Sequence, residues 1–434
     1  MAAPDSSPLP TDAGERLARA IARLEGYDPA ALPVAQARQI IEAVMQPVRD
    51  FETVELRDAL GRILVADLLS TIDVPAHDNS AMDGVATATS SLAAGESRLK
   101  IVGAAYAGKP FRGEAAPGQA VRVMTGAIMP RGTDLVVPQE LTRADGSDHV
   151  WIPAGQRAGQ HLRRRGEDLT RGLPALTAGT RIGPAHMGLI ASLGVARVEV
   201  RRRIRVAFFS SGDEIRSIGE PLGEGQIYDS NRYTLTGLLL DLGCELHDLG
   251  VVPDDPASIE TAVREAAVRA DLIISSGGVS VGAADHTKAV MQRIGGVRFW
   301  TIAMRPGRPM AFGDVGGCAY FGLPGNPVAV MITFLFFVKP AIQRLMGRAT
   351  DATAHVRATA LSPFKKRAGR TEFQRGILGR AHDGSMQVTI TGQQGSGVLS
   401  SMTNANCIVL LHHEQGSVAV GDSVDCLPFE GLLR

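Results

Sequence analysis

The sequence predicts a multidomain α/β protein with four parts. These are a central doubly wound α/β domain, a β-rich module inserted ahead of it, an extended helical and mixed domain around that module, and a small C-terminal β-barrel. Three observations predict this. Residues 204–347 alternate strand-like and helix-like segments, which is the signature of βαβ units on a parallel sheet. Residues 71–153 break into short apolar pieces between Gly, Pro and Asp turns. After residue 351 short β-type segments return.

Taken in order, residues 1–30 are rich in Pro, Ala, Asp and Ser and are expected to form a disordered N-terminal arm. "VAQARQIIEAVMQPV" places Val34, Ala37, Ile41, Val44 and Met45 on one helical face, with Pro47 ending the helix. "LRDALGRILVADLLS" reads as a second helix with Gly61 in or near its turn, or as a helix followed by a short strand. Residues 31–70 and 154–200 together form the extended helical and mixed domain, which includes the helical spacing of "GPAHMGLIASLGV". The inserted module, 71–153, carries "LKIVGAAYAG", "AVRVMTG" and "DLVVPQE" as strands.

Residues 201–350 form the α/β domain. "IRVAFFS", "CELHDLGVV" and "DLIISS" are its strands. "SNRYTLTGLLLDLG" is a helix capped by Ser230 or Asn231, and "DDPASIETAVREAAVRA" is one capped by Asp255 with Pro256 at its first position. "RFWTIAM", "PMAFGDV" and "CAYFGLPG" add shorter strands before a helix that starts at Pro327 behind Asn326. In 351–434, "VRATAL", "MQVTIT", "CIVLLHH" and "DSVDCLPF" supply the barrel strands.

Bulk properties narrow the function. Lys plus Arg and Asp plus Glu each number 45, so the formal net charge is zero, which disfavours a dedicated nucleic-acid binder. The four cysteines are scattered with no C-x-x-C pair, as expected of buried free thiols in a reducing compartment. The most apolar run, "VAVMITFLFFV", falls short of the roughly 20 residues that span a bilayer. No basic-then-apolar leader opens the chain. The expectation is a soluble cytoplasmic protein that binds neither nucleic acid nor membrane.

The chemistry gathers at strand ends. Ligands of open parallel sheets bind beyond the carboxyl ends of the strands. There the sequence places Ser211, Gly212, Asp213 and Glu214, then Asp254 and Asp255, then Gly277, Gly278, Ser280, Gly282 and Asp285. Glycines let backbone N–H groups approach phosphates, and hydroxyls donate to them. Carboxylates facing phosphates repel them unless a cation intervenes, so Glu214, Asp254 and Asp285 suggest Mg²⁺, a hard ion that takes oxygen ligands. Arg305 and Arg308 flank a Pro-Gly turn and suit an oxyanion, because guanidinium groups stay charged and form forked hydrogen bonds.

Plainer roles stand beside these. Asp255 reads first as a helix cap. Asp254 also fits a turn, Asp285 a cap and Glu214 an ordinary surface acid. Pro324 and Pro327 stiffen the loop before the last helix. Convergence of three loops carries more weight than any one of them. "VPAHDNSAMDGVA" and "VMTGAIMP" have no place in the α/β sheet, and each reads as a turn or as a ligand loop reaching from another domain or subunit. His77, His286, His412 and His413 show no metal spacing, and the runs Arg163–Arg165, Arg201–Arg203 and Lys365–Arg367 read as solvated faces.

"DNSAMDG", "MTGAIMP", "SSGDE", "ISSGGVSVGAAD", "RPGRP" and "GLPGNP" occur in one order. Together they resemble the MoeA-type molybdopterin molybdenumtransferases, relatives of the E domain of gephyrin and of its plant counterpart. The likeness covers nearly the whole chain from Pro33, and jointly the motifs are highly specific. The GGVSVG element alone is shared with Mog-type adenylyltransferases and CinA-like proteins, so the central domain is expected to be MoaB/Mog-like.

The resemblance implies a homodimer that inserts molybdate into adenylylated molybdopterin, with Mg²⁺-dependent release of AMP. By motif it puts Asp83 and Thr125 in the cleft from the β module, facing the partner's α/β domain. Glu214, Asp254 and Asp285 become the essential acids around pyrophosphate and metal. Ser211, Gly277, Gly278, Ser280 and Gly282 hold phosphate, and Pro324 and Pro327 shape the loop beside it. Arg305, Arg308, Arg375 (in "GRTEFQRG") and Ser396 (in "QGSG") bind oxyanion or pterin phosphate. Further partners implied are the adenylyltransferase that supplies the substrate and chaperones of molybdoenzymes.

Three positions depart from the family pattern. Thr301 stands where Lys or Arg is common after "FW", an Arg pair replaces a Lys pair in "RPGRP", and Ala329 replaces a frequent Ser. Two other functions remain open at this level. The α/β segment alone fits an adenylyltransferase, and the whole fold fits a peptide-binding scaffold.

Overall fold

The computed structural model describes residues 13–279, 286–348 and 355–432. The chain forms two compact units: Met1–Glu52 with Gly61–Ile63 and Arg201–Arg434, and Thr53–Leu60 with Leu64–Val200.

The smaller unit is built on a six-stranded sheet, mostly antiparallel, from Gly84–Thr87, Ser97–Ala105, Gln119–Val123, Leu135–Pro138, Arg143–Asp145 and His149–Ile152. Side chains alternate across it. Val85, Leu99, Leu135 and Val137 bury on one face, and Ala86, Val123 and Val136 on the other. A second core of Leu64, Ile182, Ile190 and Val198 gathers around the helix Pro184–Ser192. The helix expected at "LRDALGRILVADLLS" is reduced to a single turn, Leu56–Asp58, and then a two-residue strand, Leu68–Leu69, pairs with Pro174–Leu176. Gly61 adopts φ +77, a conformation that ends a helix.

In the larger unit the expected disordered N-terminal arm includes a helix, Ala13–Ala22, followed by turns. The helix Ala13–Ala22 packs Leu17 against a core that also takes Ile40, Ile41 and Val44 of the helix Val34–Val44. Arg16 Nε donates to the Val44 carbonyl at 3.2 Å. Further along, Thr301 N donates to Pro29 O at 2.8 Å and Leu32 N to Thr301 O at 3.0 Å, so the segment covers an otherwise open sheet edge. Apolar residues at helical spacing outweigh the Pro/Ala/Ser composition that suggested disorder.

The α/β sheet contains β1 (Arg205–Ser211), β2 (Glu245–Val252), β3 (Leu272–Ser276), β4 (Arg298–Thr301), β5 (Pro309–Val315) and β6 (Cys318–Leu323). Their spatial order is β2-β1-β3-β6-β5-β4, with the first four parallel and the last two antiparallel. Residues of β3 and β6 are buried throughout, as expected of strands covered on both faces. Val206, Phe208 and Ile274 point into one core, while Ala207, Phe209 and Ile273 point into the other. The helix Pro256–Arg269 starts as expected, with the Asp255 carboxylate accepting from Ala257 N and Ser258 N at 3.0 Å each. The helix Ser230–Asp241 is capped one residue earlier than expected, by Asp229, which accepts from Arg232 N at 3.1 Å.

The apolar run near residue 330 belongs to a longer helix, Pro327–Leu345, which is long and apolar enough to cross a membrane. Here 78% of it is buried among core side chains, so it serves as a core helix. Its register loosens at Phe334–Val338, a π turn just ahead of Pro340, a residue with no N–H to give to a regular helix.

The C-terminal barrel consists of β7 (Val356–Ala360), β8 (Thr371–Arg380), β9 (Met386–Ile390), β10 (Cys407–Leu411) and β11 (Ser423–Pro428). Their order is β8-β9-β7-β11-β10, and β10 closes back onto β8. The sequence pattern missed β8, the longest of them, because it is buried on both faces at its start and carries Glu372 and Gln374 on one face and Arg375 on the other in place of apolar residues. Met304–Arg305 pairs in parallel with Thr371–Glu372, which brings the barrel beside the α/β sheet.

Candidate functional site

β1 and β3 are neighbours in the parallel sheet, and the connections from their ends leave in opposite directions, toward β2 and toward β6. That makes the crevice at their carboxyl ends a topological switch point, where α/β sheets bind ligands. A cleft of about 1220 Å³ opens there. Ser211, Gly212 and Glu214 follow β1, Asp254 follows β2, Gly277 and Gly278 follow β3, and Pro324 and Pro327 follow β6. Arg305 and Arg308 enter from the turn before β5, and Ser396 from the barrel.

Backbone shape explains the glycines. Gly277 and Gly278 have φ +93 and +64. A Cβ on Gly277 would lie 2.5 Å from Ser211 O, and one on Gly278 2.2 Å from Thr287 Oγ1. Only glycine lets the loop pass between the end of β1 and the next helix.

Several polar atoms around this loop are buried without hydrogen-bond partners among the described residues. They are Ser211 Oγ, Asp254 Oδ1, Asn231 Oδ1 and Thr287 Oγ1. Burial pushes the Asp254 carboxyl above the ordinary carboxylate range. The charge of His286 opposes this, and the charges of Asp213, Glu214 and Asp255 add to it. The acids therefore stand close enough to repel one another, which is the arrangement a cation would relieve. Glu214, Asp254 and the Ser211 hydroxyl offer hard oxygen donors, so the donor set fits Mg²⁺. Among the described residues no three His, Cys, Asp or Glu side chains gather at metal distance. Asp285, Ser280 and Gly282 lie outside the described residues.

The opposite wall is basic. Arg305, Arg308 and Arg370 line it. Arg370 donates through Nε and Nη2 to Glu372 Oε1 at 2.8 and 2.7 Å, and this fixes its plane. Arg375 lies off the main cleft. It lines an adjoining pocket of about 320 Å³ together with Arg305, Lys365 and Gln374. It is 1% exposed and donates to Ser401 Oγ at 3.0 Å and Gly395 O at 3.1 Å. Burial, with Arg305 beside it, lowers its pKa to about 10.

In the smaller unit, the Asp83 carboxylate accepts from Thr125 N at 2.6 Å and from Thr125 Oγ1 at 2.7 Å. These bonds hold the carboxyl below its ordinary range. The two motifs that resemblance singled out are thus locked together.

Tyr228, Asp229, Asn231, Arg370 and Gln394 line the cleft but escaped the sequence reading. Asn231 was read only as a candidate helix cap, Tyr228 and Asp229 just before it had no reading, and Gln394 had no signal beyond its nearness to Ser396.

Comparison with known proteins matches residues 32–194 to the MoeA N-terminal region, domains I and II. Residues 207–344 match a probable molybdopterin binding domain, and 357–429 match the MoeA C-terminal region, domain IV. The chain is 42% identical to a molybdopterin molybdenumtransferase of Haemophilus influenzae, over 93% of this chain and all of that one. It is 40% identical to a protein of the same description from Nostoc, over 69% of this chain and 71% of the other. The crystal structure of the molybdopterin biosynthesis MoeA protein from Pyrococcus horikoshii superposes with a TM-score of 0.79 at 26% identity, covering 91% of this chain and 99% of that one.

Proposed function

The chain belongs to the MoeA family of molybdopterin molybdenumtransferases, and from that premise we propose that it is a transferase of molybdenum cofactor biosynthesis which inserts molybdenum into molybdopterin. Molybdate is the metal donor, adenylylated molybdopterin is the acceptor, and AMP is released. The observation that carries this reading is a single cleft with acids on one wall, glycine backbone on its floor and arginines on the other wall.

Each wall has a task. The N–H of Gly278, with the Ser211 hydroxyl, grips the diphosphate linkage, and Gly277 turns the loop so that the backbone can come close to it. Arg305 and Arg308 hold the tetrahedral oxyanion, and Ser396 donates beside them. Arg375, from its own pocket, keeps positive charge behind Arg305. Pro324 and Pro327 hold the loop that closes the cleft from β6. Glu214, Asp254 and Asp285 would hold Mg²⁺, which usually keeps several waters and takes one or two carboxylates plus phosphate oxygens. When bound, the ion would offset charge that builds on the leaving phosphate. Asp83 and Thr125 complete the cleft from the partner's smaller unit, so the working form is a homodimer. We place it in the cytoplasm, upstream of the chaperones that receive the finished cofactor.

The test is a single turnover of adenylylated molybdopterin with molybdate and Mg²⁺. Wild type is expected to release AMP, and Asp285→Ala is expected to lose nearly all of that release. Wild-type accumulation of adenylylated pterin from ATP and molybdopterin would instead make the protein an adenylyltransferase.

A further inference from the structure

The helix Ser230–Asp241 and its cap Asp229 are bonded to the ends of β1 and β3 and to the loop after β6. Asp229, 2% exposed, accepts through Oδ1 from Ser210 Oγ at the end of β1, at 3.1 Å. Asn231, 8% exposed, donates through Nδ2 to Ser276 Oγ at the end of β3, at 2.9 Å. The same nitrogen donates to the carbonyl of Gly325, in the loop after β6, at 2.7 Å. A carbonyl only accepts, so the amide of Asn231 has one orientation, with its NH₂ turned to both loops.

Those loops need an outside anchor. Ser276 leads directly into Gly277–Gly278, and Gly325 lies between Pro324 and Asn326. Among the described residues, the backbone bond that ties the loop after β3 to the strand before the other loop is Gly277 N donating to Leu323 O at 3.1 Å. Glycine backbone loses more conformational freedom on ordering than any other, so a glycine loop that must meet a ligand in one shape benefits from a bond made in advance.

We propose that Asn231, on the helix that Asp229 caps, is a positioning residue that clamps the loops after β3 and β6 in the register that binds the substrate. The role rests on the function proposed above, because it assigns those loops to the substrate's phosphate and oxyanion ends. Asn231 touches neither end itself.

Hydrogen exchange of the full-length protein tests the clamp without any ligand, and AMP with Mg²⁺ serves as the binding probe. In Asn231→Ala, amides of 276–279 and 324–326 should exchange about tenfold faster, while those of the barrel stay unchanged. AMP should bind about tenfold more weakly, the loss of one or two net hydrogen bonds. Asn231→Asp, nearly the same size, should free the amides of 324–326 as alanine does, since a carboxylate has no donor for the Gly325 carbonyl, while 276–279 should respond less because the Ser276 hydroxyl can turn to donate to it. Ser276→Ala should give about a threefold effect, and the double variant should be no worse than Asn231→Ala, as expected for two members of one bond. Unchanged exchange in both loops for Asn231→Ala and Asn231→Asp, or full additivity with Ser276→Ala, overturns the clamp. Should Asn231→Ala not fold, Ser276→Ala and Asn231→Asp decide the matter by the same exchange readout. Failure of the wild type to bind AMP overturns the function proposed above, and the exchange result then decides the clamp alone.

Discussion

The cleft at the switch point and the wall of the C-terminal barrel both bury polar groups, and the barrel too leaves one atom, His413 Nδ1, unmatched among the described residues, but the two differ in how they match buried charge. In the cleft, Asp254 Oδ1, Ser211 Oγ and Thr287 Oγ1 have no partner among the described residues. In the barrel, each buried charge has several. Lys366 Nζ donates to the carbonyls of Arg367, His413 and Gln415. Glu372 takes two bonds from Arg370 and one from Gln374. Asp425 accepts from Arg357 at 2.9 Å and bonds His412 at 2.6 Å. An unmatched buried polar group costs about 1–3 kcal/mol, whereas a matched one is near neutral. The barrel is built to stand by itself, and the cleft is built to be completed by something it binds.

The pKa directions repeat the contrast. Burial pushes Asp254 up, helped by neighbouring acids. Burial would push Asp425 up as well, but His412 and Arg357 more than offset it and hold that carboxyl below its ordinary range.

The sharpest way to break this contrast is Asp254→Asn. AMP release should fall by about 10²–10³-fold in single-turnover assays, the usual scale for removing one charge-stabilising group. The free protein should nonetheless melt at a higher temperature at pH 7. A raised carboxyl pKa means that folding favours the protonated form. Ionised Asp254 therefore opposes folding, and its penalty grows as pH rises from 3.8 through the folded value. The gain in melting temperature should shrink as pH falls toward 3.8. A variant that melts lower at pH 7 would mean Asp254 is a satisfied structural acid.

Next in size is Gly278→Ala. The new Cβ would meet Thr287 Oγ1 at 2.2 Å at a residue with φ +64, so denaturant titration should show a loss of about 2–3 kcal/mol. A neutral result would show that the loop has room and that its glycine does not serve close approach.

Glu372→Gln probes the barrel side. It should lose about 2 kcal/mol by the same measurement, because Arg370 keeps its neighbour but loses the charge. AMP release should fall only through misalignment of Arg370, by far less than in Asp254→Asn.

The smallest effect belongs to Asp425→Asn, about 1 kcal/mol or less, since Arg357 is largely exposed and screened. Its folded pKa is depressed, so its contribution is present above the unfolded value of 3.8 and lost as pH falls through the folded value. Melting curves of wild type and variant should converge in that acid window.

Much of this was legible in the residues. The βαβ alternation, the caps at Asp255 and Pro256, the glycines after β3 and the Arg305–Arg308 turn follow from local rules of period and backbone freedom. β8 was not legible, because Glu372, Gln374 and Arg375 are buried through hydrogen bonds, those of Arg375 to residues 20 and 26 positions away, and so break the apolar alternation that marks a strand. The helix Ala13–Ala22 was missed because its stability comes from a core supplied by later segments. Asn231 was missed because its two acceptors lie 45 and 94 residues away.

The sequence by itself determined which segments are strands and helices of the α/β sheet and which loops carry acid, hydroxyl and arginine, since short-range sterics and hydrophobic period act within a dozen residues. Only the tertiary structure decided that Asp254 is left unmatched while Glu372 is fully bonded, that Arg370 rather than Arg375 faces the cleft, and that one asparagine joins two loops. Burial and hydrogen-bond partnership are properties of the folded neighbourhood, and no local stretch of chain encodes them.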